Sequence, residues 1–394
     1  MSLIGRNTLR RSFFANFKIA SALRVRNEST GTNESEPIRK SVFISQSTDV
    51  FTNLALEDWF YRNFDLSKHH VLMLWRNDPC VVIGRHQNPW LESNVQEVEN
   101  RGISLARRNS GGGTVYHDAG NLNLSFFTPR DRYNRRYNLD IICRALYREY
   151  GLTTTVNKRE DIVVEGDYKV SFNVSGTAAK LGRPNAYHHC TLLVDVNKSD
   201  LSTALSRKDE NISTKATASI RSPIKNLRDI NSQINVNGLL NALGWEFLRT
   251  KALVLEDGGH ELIQQQKGFQ MISPSEDWFP GIEKIKQELR SWDWTFGKTP
   301  EFTVTRLLNV PAINGVIYQL NLTLEVVNGV VKEIKMSLPA GLAPSDFKQD
   351  ASVITNLQGR RYDHEITENI VAAIGCKTVA INSTPSKANM VATQ

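Results

Sequence analysis

Residues 105–127 read LARRNSGGGTVYHDAGNLNLSFF, with three consecutive glycines between the pair Arg107-Arg108 and the pair His117-Asp118. The residues before the glycines, ISLARR (103–108), suit a short strand. Those after, NLNLSFFT (121–128), suit a second strand with Leu122, Leu124 and Phe126 on one face. Gly111, Gly112 and Gly113 lack the Cβ that forbids positive φ, and they let a ligand approach the backbone closely. Their successive amides can converge on an anion. A tight turn between two strands is the simpler reading of a single glycine. Three glycines beside two arginines favour a ligand loop. The spacing matches neither GxxxxGK[ST] nor GxGxxG, which excludes both common nucleotide loops.

Outward from this stretch the pattern is mixed. Residues 41–64 predict a strand and then a helix, with Asn53 as its N-cap and Leu56, Trp59, Phe60 and Phe64 at helical spacing. Residues 70–88 predict two strands about an Asn-Asp-Pro turn, ending in IGRHQNP, where Arg85 could clamp an anion. A helix follows over 137–152. Residues 161–174 predict a hairpin turning at Glu165-Gly166-Asp167, and 188–196 a further strand. Beyond 280 the sequence predicts a helix over 282–292, strands over 302–310 and 316–338 with an Asn328-Gly329 hairpin turn, and helices over 346–359 and 364–375. Hairpins interspersed with helices give an α+β class, not alternating βαβ units. The expected organisation is a transit peptide and disordered spacer over 1–40, a catalytic domain over 41–279 and a small α+β domain over 280–394.

The net charge of +7 resides mostly at one end. The first 27 residues hold six basic and no acidic side chains, which leaves +1 for the rest. That placement argues against a nucleic-acid face. An Arg- and Ser-rich, acid-free start with interleaved Leu and Phe predicts a mitochondrial transit peptide, and residues 27–40 a disordered spacer. No run of about 18 apolar residues occurs, so no membrane-spanning helix is expected. Four widely spaced cysteines, Cys80, Cys143, Cys190 and Cys376, form no metal-ligand or disulfide framework, which suits a reducing compartment.

The blocks TNLALEDW, LWRNDPCVVIGRHQNP, LARRNSGGGTVYHDAGNLNLSFF, SGTAAKLGRPNAYHHCTLL and WDWTFGKTPEF resemble the lipoate–protein ligase family, above all its mitochondrial lipoyltransferase branch. The resemblance implies a large α/β catalytic domain related to biotin ligases, followed by a small C-terminal domain. It implies attachment of a lipoyl group to a lysine of lipoyl domains by way of lipoyl-AMP. The donor would be lipoyl-AMP or the lipoylated H protein of the glycine cleavage system. The acceptors would be 2-oxo acid dehydrogenase complexes in the mitochondrial matrix. No metal and no tightly bound cofactor are expected; ATP and Mg²⁺ enter only for a full ligase that makes its own adenylate. The chain is expected to act as a monomer.

An acyl-adenylate is already an activated mixed anhydride, so the enzyme needs no nucleophile of its own. It must hold the adenylate, meet its phosphate and admit an amine. By resemblance the lipoyl-AMP site comprises Arg85, Arg107, Arg108, Ser110, Gly111, Gly112, Gly113, Thr114, His117, Asp118, Ser175, Gly176, Thr177 and Ala178. The same resemblance implies that Lys215, Thr217 and Ser219 lie toward the adenylate, with a plain capped loop as the alternative. The family's lysine block, K-[IV]-S-G-[ST]-A, is interrupted here as KVSFNVSGTAA. Lys169 therefore lies four residues further from Ser175-Gly176 than the pattern asks, and Asn173 stands in the slot. If the hairpin sets the register, Lys169 keeps its catalytic place and SFNV bulges outward, the reading preferred here. If the SGTAA segment sets it, Asn173 faces the site, and an amide brings no charge to a phosphate. That outcome would make the chain a catalytically weak lipoyl-domain-binding protein. Lys180, His188 and His189 read as structural. Cys190 reads as a small buried hydrophobe, with a thioester route as the alternative. Trp292, Trp294 and Phe296 are expected to pack the second domain.

Overall fold

The computed structural model describes residues 38–166, 170–206, 211–311, 317–337, 350–352, 357–363, 365–366 and 377–378. All of them fall in one contact-defined unit, Ile38–Gln394. β1 (Arg39–Ser45) leads into α1 (Val50–Asn63), β2 (His69–Trp75) and β3 (Cys80–Ile83). Two short helices, α2 (Pro89–Glu92) and α3 (Val95–Asn100), precede β4 (Ser104–Arg107), β5 (Val115–His117) and β6 (Asn121–Pro129). α4 (Arg135–Tyr150) is followed by β7 (Thr155–Val156), β8 (Ile162–Glu165), β9 (Ser171–Asn173), β10 (Ser175–Leu181) and β11 (Asn185–Leu193). Next come α5 (Lys198–Ala204), β12 (Ile212–Thr214), α6 (Val236–Arg249), α7 (Gly259–Gln264), β13 (Phe269–Ile272), α8 (Ile282–Arg290) and α9 (Trp292–Thr295). The C-terminal region contributes β14 (Phe302–Pro311), β15 (Ile317–Val327), β16 (Val330–Ser337), β17 (Asp350–Ser352) and β18 (Lys377–Thr378).

The main sheet runs β10-β11-β6-β2-β1-β13, parallel only where β1 meets β2 and β13. Strand alternation sorts its side chains between two cores. Leu72 and Leu74, with Leu122, Leu124 and Phe126, pack beneath α4 and α6. Val71, Met73 and Trp75, with Phe127 and Tyr187, pack beneath α1 and α8. A sheet covered on both faces explains the near-continuous apolar run HVLMLW. A small sheet, β4-β3-β5, and a hairpin sheet, β7-β8-β9, flank it.

Several expectations are corrected by this packing. The N-cap of α1 is Asp49, whose carboxylate accepts from Thr52 N at 2.9 Å. Asn53 lies one turn inside and fully buried, where its amide donates to Ser47 O, Arg76 O and Asn77 Oδ1. β2 and β3 do not pair as a hairpin; the turn between them carries the chain from the main sheet to the small one. The boundary at 279/280 falls inside a packed core, because Phe279, Ile282, Ile285, Leu289 and Trp294 are buried together with α1. Within 346–359, read as helix, Asp350–Ser352 is an edge strand paired with β16. The helix expected over 364–375 lies almost wholly outside the described residues. The Asn328-Gly329 turn forms as read, with φ of 52° and 71° joining β15 to β16.

Candidate active site

A cavity of about 790 Å³ opens between the small sheet and the β10–β11 side of the main sheet. Its apolar part is walled by Leu54, Trp75, Val82, Val115, Tyr116 and Cys190. Its polar lining includes Arg108, Gly112, Gly113, Thr114 and Ser175–Ala178, with Thr217 and with Ser219, whose Oγ accepts from Thr114 N at 2.9 Å.

The glycine loop connects β4 to β5. Gly112 takes φ of 87°, a left-handed value that favours glycine. A Cβ on Gly84 would meet Gly112 O at 2.1 Å, so two glycines are needed for the loop to lie against the end of β3. Arg108 holds the loop's shape. Its Nη2 donates to Gly111 O at 2.7 Å and Gly113 O at 2.6 Å, and its Nη1 to Val82 O at 3.1 Å. Burial pulls its pKa down to about 10, partly offset by Tyr187 and Glu57, so it stays cationic at neutral pH.

Arg107 and Arg108 are neighbours at the end of a strand, so their side chains part to opposite faces. Arg107 is fully buried away from the cavity. It donates to Gly84 O, Arg85 O and Gln87 O on one side and to Trp294 O, Thr295 O and Thr299 Oγ1 on the other. Trp294 Nε1 returns a bond to Arg107 O at 2.7 Å. The expected ligand is thus a clamp joining the segment after β3 to α9. Arg85 is also outside the cavity lining; its guanidinium stacks over Trp294 at 4.1 Å. Trp294 therefore belongs to the catalytic core, while Phe296 packs on Trp90 toward the C-terminal sheet.

The remaining expected residues divide the same way. Gly112, Gly113, Thr114, His117, Ser175, Gly176, Thr177 and Ala178 line the cavity. Ser110, Gly111 and Asp118 do not. Asp118 caps the turn before β6, accepting from Gly120 N at 2.8 Å and Asn197 N at 2.9 Å. Ser110 Oγ lies 2.8 Å from His189 Nε2. Burial, then the charges of Arg108 and His189, push the pKa of His117 down to about 3, so its ring is neutral. Asn53 donates to Asn77 Oδ1, which turns the Asn77 amide toward His117 Nδ1 at 3.0 Å and leaves the ring proton on Nε2. Cys190 is buried and its thiol pKa is raised by burial, so it is a poor nucleophile. Lys180 is an ion-pair partner of Asp58 at 3.0 Å. Lys215 is exposed and outside the lining.

Over Ser171–Asn173 the interrupted lysine block does not bulge. Ser171–Asn173 form regular strand β9, pairing Glu165↔Ser171, Val164↔Phe172 and Val163↔Asn173. Asn173 lines the cavity, and its amide donates to Asp161 Oδ2 at 3.1 Å. Its backbone is held by Pro223 O and Lys225 N at 2.9 and 3.1 Å. Lys169 lies outside the described residues.

Two residues that hold the cavity's walls from behind were not singled out by sequence reasoning. Gln87 is fully buried. Its Oε1 accepts from Gly84 N at 2.8 Å and Thr114 Oγ1 at 2.9 Å, and its Nε2 donates to Ser219 Oγ at 3.0 Å. It thus ties the end of β3, the glycine loop and the 217–219 segment together. Its only local signal is its place in IGRHQNP. Glu57, on α1, accepts from Ser125 Oγ at 2.6 Å and meets His189 Nδ1 at 2.9 Å.

The lipoyl protein ligase A/B catalytic domain matches residues 49–248. The chain is 40% identical to the mitochondrial lipoyl amidotransferase LIPT1 of Mus musculus over 316 residues, 80% of each chain. It is 37% identical to lipoate-protein ligase A of Psychrobacter cryohalolentis over 259 residues, covering 66% of this chain and 73% of that protein. Among solved structures, P. falciparum LipL1 in complex with lipoate is 26% identical, with a TM-score of 0.52 over 75% of this chain and 84% of that chain.

Proposed function

The chain belongs to the lipoyl protein ligase A/B family and is a lipoyltransferase, and on that premise we propose that it carries a lipoyl group from lipoyl-AMP to a lysine of lipoyl domains in 2-oxo acid dehydrogenase complexes. The lipoylated H protein of the glycine cleavage system is the second proposed donor. One observation carries the reading: the left-handed Gly112 loop, gripped by the Arg108 guanidinium, lies against Thr177 and Ala178 in the lining of a cavity with both apolar and polar walls. An acyl chain fits the apolar part. The anhydride fits the polar part, where backbone and Arg108 supply fixed positive potential.

The proposed roles follow from placement. Arg108, Gly112, Gly113, Thr114 and Ser175–Ala178 touch the acyl-adenylate. Arg107, Arg85, Ser110, Gly111 and Asp118 act through the loops they hold. His117 supplies a neutral wall. Lys169 is proposed, on the resemblance alone, to reach the acyl carbonyl and phosphate. The catalytic unit is proposed to end after residue 300, since α8 and α9 share its core. Mitochondrial residence, in the matrix, is proposed from the acid-free basic start and from the mitochondrial relatives.

A second reading is favoured by Asn173. With an amide where the family pattern asks for a lysine, the chain would bind the lipoyl group and its carrier domain but transfer weakly. The test presents the full chain and a lipoyl domain with lipoate plus ATP and Mg²⁺, with lipoyl-AMP, or with lipoylated H protein. The mass of the lipoyl domain is then read. Gain from lipoyl-AMP or H protein alone is expected. Gain from lipoate and ATP would make the chain a full ligase, and binding with no gain from any donor would favour the second reading.

A further inference from the structure

We propose that Asp161 is the catalytic residue that takes the proton released as the acceptor amine adds to the activated acyl carbon, an assignment that rests on the transferase reading above. Among the described residues two carboxylates line the cavity, Glu92 and Asp161. Glu92 sits on α2 and accepts from Ser219 N at 3.1 Å, which fixes the segment that bonds the glycine loop at Thr114 N. Asp161 immediately precedes β8, on the other wall.

Its position follows from its two chain neighbours. Ile162 N donates to Ser175 Oγ at 2.7 Å, and Glu160 O accepts from Thr177 Oγ1 at 3.3 Å. Ser175 and Thr177 flank Gly176 on the wall that faces the glycine loop. A Cβ added at Gly112 would lie 3.1 Å from Ala178 Cβ and 3.7 Å from Thr177 O. The carboxylate is therefore held on the wall that closes over the loop, where the anhydride is proposed to lie.

The surroundings of Asp161 suit a proton acceptor. It is 7% exposed. Asn173 donates to Oδ2 but brings no charge. The Arg159 guanidinium stands at 3.9 Å and is half exposed, so water screens it. Arg135 is committed to Glu160 at 2.6 Å. Asn157 Oδ1 accepts from the Asp161 backbone, and the buried Cys190 thiol is a further nearby titratable group among the described residues. Burial outweighs Arg159, Asn173, Arg135 and Asn157, and the carboxyl lies above its ordinary value. A carboxylate matched closely by a cation would hold a proton less well. The other titratable walls serve poorly: His117 is neutral with a pKa of about 3, the Cys190 pKa is raised by burial, and His189 is bound to Glu57 and Ser110.

The step balances. The neutral amine attacks the acyl carbon and a C–N bond forms. The acyl C–O bond to the phosphate breaks, and its electron pair leaves on the phosphate oxygen of AMP. The nitrogen gives up one proton, which Asp161 receives and passes to solvent. General-base help of this kind contributes about 10²–10⁴-fold.

The experiment uses the full chain, lipoyl-AMP and a lipoyl domain. Asp161→Asn and Asp161→Ala are expected to lose about 10²-fold or more in kcat, with lipoyl-AMP affinity close to the parent's. Added formate should restore the Asp161→Ala rate. The parent's rate should fall toward acid as the carboxylate protonates, and Asp161→Asn should lack that limb even if Asp161→Ala does not fold. A parental rate in either variant, a loss that formate does not restore, or an acid limb retained in Asp161→Asn overturns the role. A parent that binds lipoyl-AMP but transfers nothing overturns the transferase reading itself.

Discussion

His189, on β11, meets the carboxylate of Glu57, on α1, with Nδ1 to Oε1 at 2.9 Å. The pair sits between the cavity wall and the helix behind it. Ser125 donates to the same oxygen at 2.6 Å, and Trp75 Nε1 donates to Ser125 at 3.1 Å. Burial opposes the charge on Glu57, but His189, Ser125 and Arg108 outweigh it and hold the carboxyl below its ordinary value. Glu57→Gln should cost about 2–4 kcal/mol at neutral pH, read from urea unfolding. The sign of the pH dependence follows. An unfolded glutamate titrates near ~4.3, so the stabilisation is fully present above that value. It is lost as the pH falls through the lower folded pKa. The gap between parent and variant should hold from neutral pH to about 5 and close below about 4. A gap that widens toward acid would refute the assignment.

Arg107 illustrates a different use of charge. Its planar fork satisfies carbonyls from two segments, and burial, with Arg85 adding to it, lowers its pKa to about 9. It therefore remains a cation at neutral pH. Arg107→Lys keeps the charge but cannot reach both sets of acceptors. We expect a loss of about 2–4 kcal/mol in unfolding free energy. At low temperature, where the variant stays folded, kcat should remain near the parent's because Arg107 does not line the cavity. A large fall in kcat without loss of stability would place Arg107 in the chemistry after all.

Gln87 offers a test of loop pre-organisation. Gln87→Ala removes the shared partner of Gly84 N, Thr114 Oγ1 and Ser219 Oγ. Each stranded polar group costs about 1–3 kcal/mol if it stays buried, so the loops should open to water instead. The expected result is a higher KM for lipoyl-AMP with a smaller change in melting temperature. Unchanged KM would mean that Arg108 alone shapes the loop.

The sequence exposed features whose cause is local. Gly111–Gly113 announced a loop of unusual backbone, and Gly112 and Gly113 do line the cavity. Asn328-Gly329 announced its hairpin because only such residues adopt two positive φ values cheaply. The division of labour between Arg107 and Arg108 was legible in principle, since consecutive strand residues face opposite ways. Which face held the cavity was not. Glu57 and His189 are 132 residues apart, and Arg107 and Thr295 are 188 apart. Neither pairing leaves a periodic trace, because each is made by helices and strands meeting in three dimensions. Asn53 was read as a cap from its type, whereas burial gave it a wider role in joining α1 to the turn after β2. The boundary at 279/280 could not take account of α8, which shares a core with α1, because amphipathicity alone does not name the partner.

The register of β9 makes the sharpest prediction. Backbone bonds from Asn173 to Pro223 and Lys225, together with its pairing to Val163, fix Asn173 at the cavity. Asn173→Lys would put an ammonium beside Asp161 and the proposed phosphate position. A charged hydrogen bond contributes about 1.5–3 kcal/mol, equivalent to about ten- to hundredfold in rate or affinity. Affinity for lipoyl-AMP should rise by that factor, whereas the rate also carries the weakening of Asp161 as a base. Lys169→Ala should slow the parent but leave the Asn173→Lys variant unaffected, because residue 173 then supplies the cation. The new charge should also lower the Asp161 pKa, since an opposite charge favours the ionised carboxylate. The acid limb of the rate profile should then move to lower pH. If Asn173→Lys binds lipoyl-AMP no tighter than the parent, the phosphate does not lie at residue 173. If its acid limb stays in place, the carboxylate that sets that limb is not the one beside residue 173.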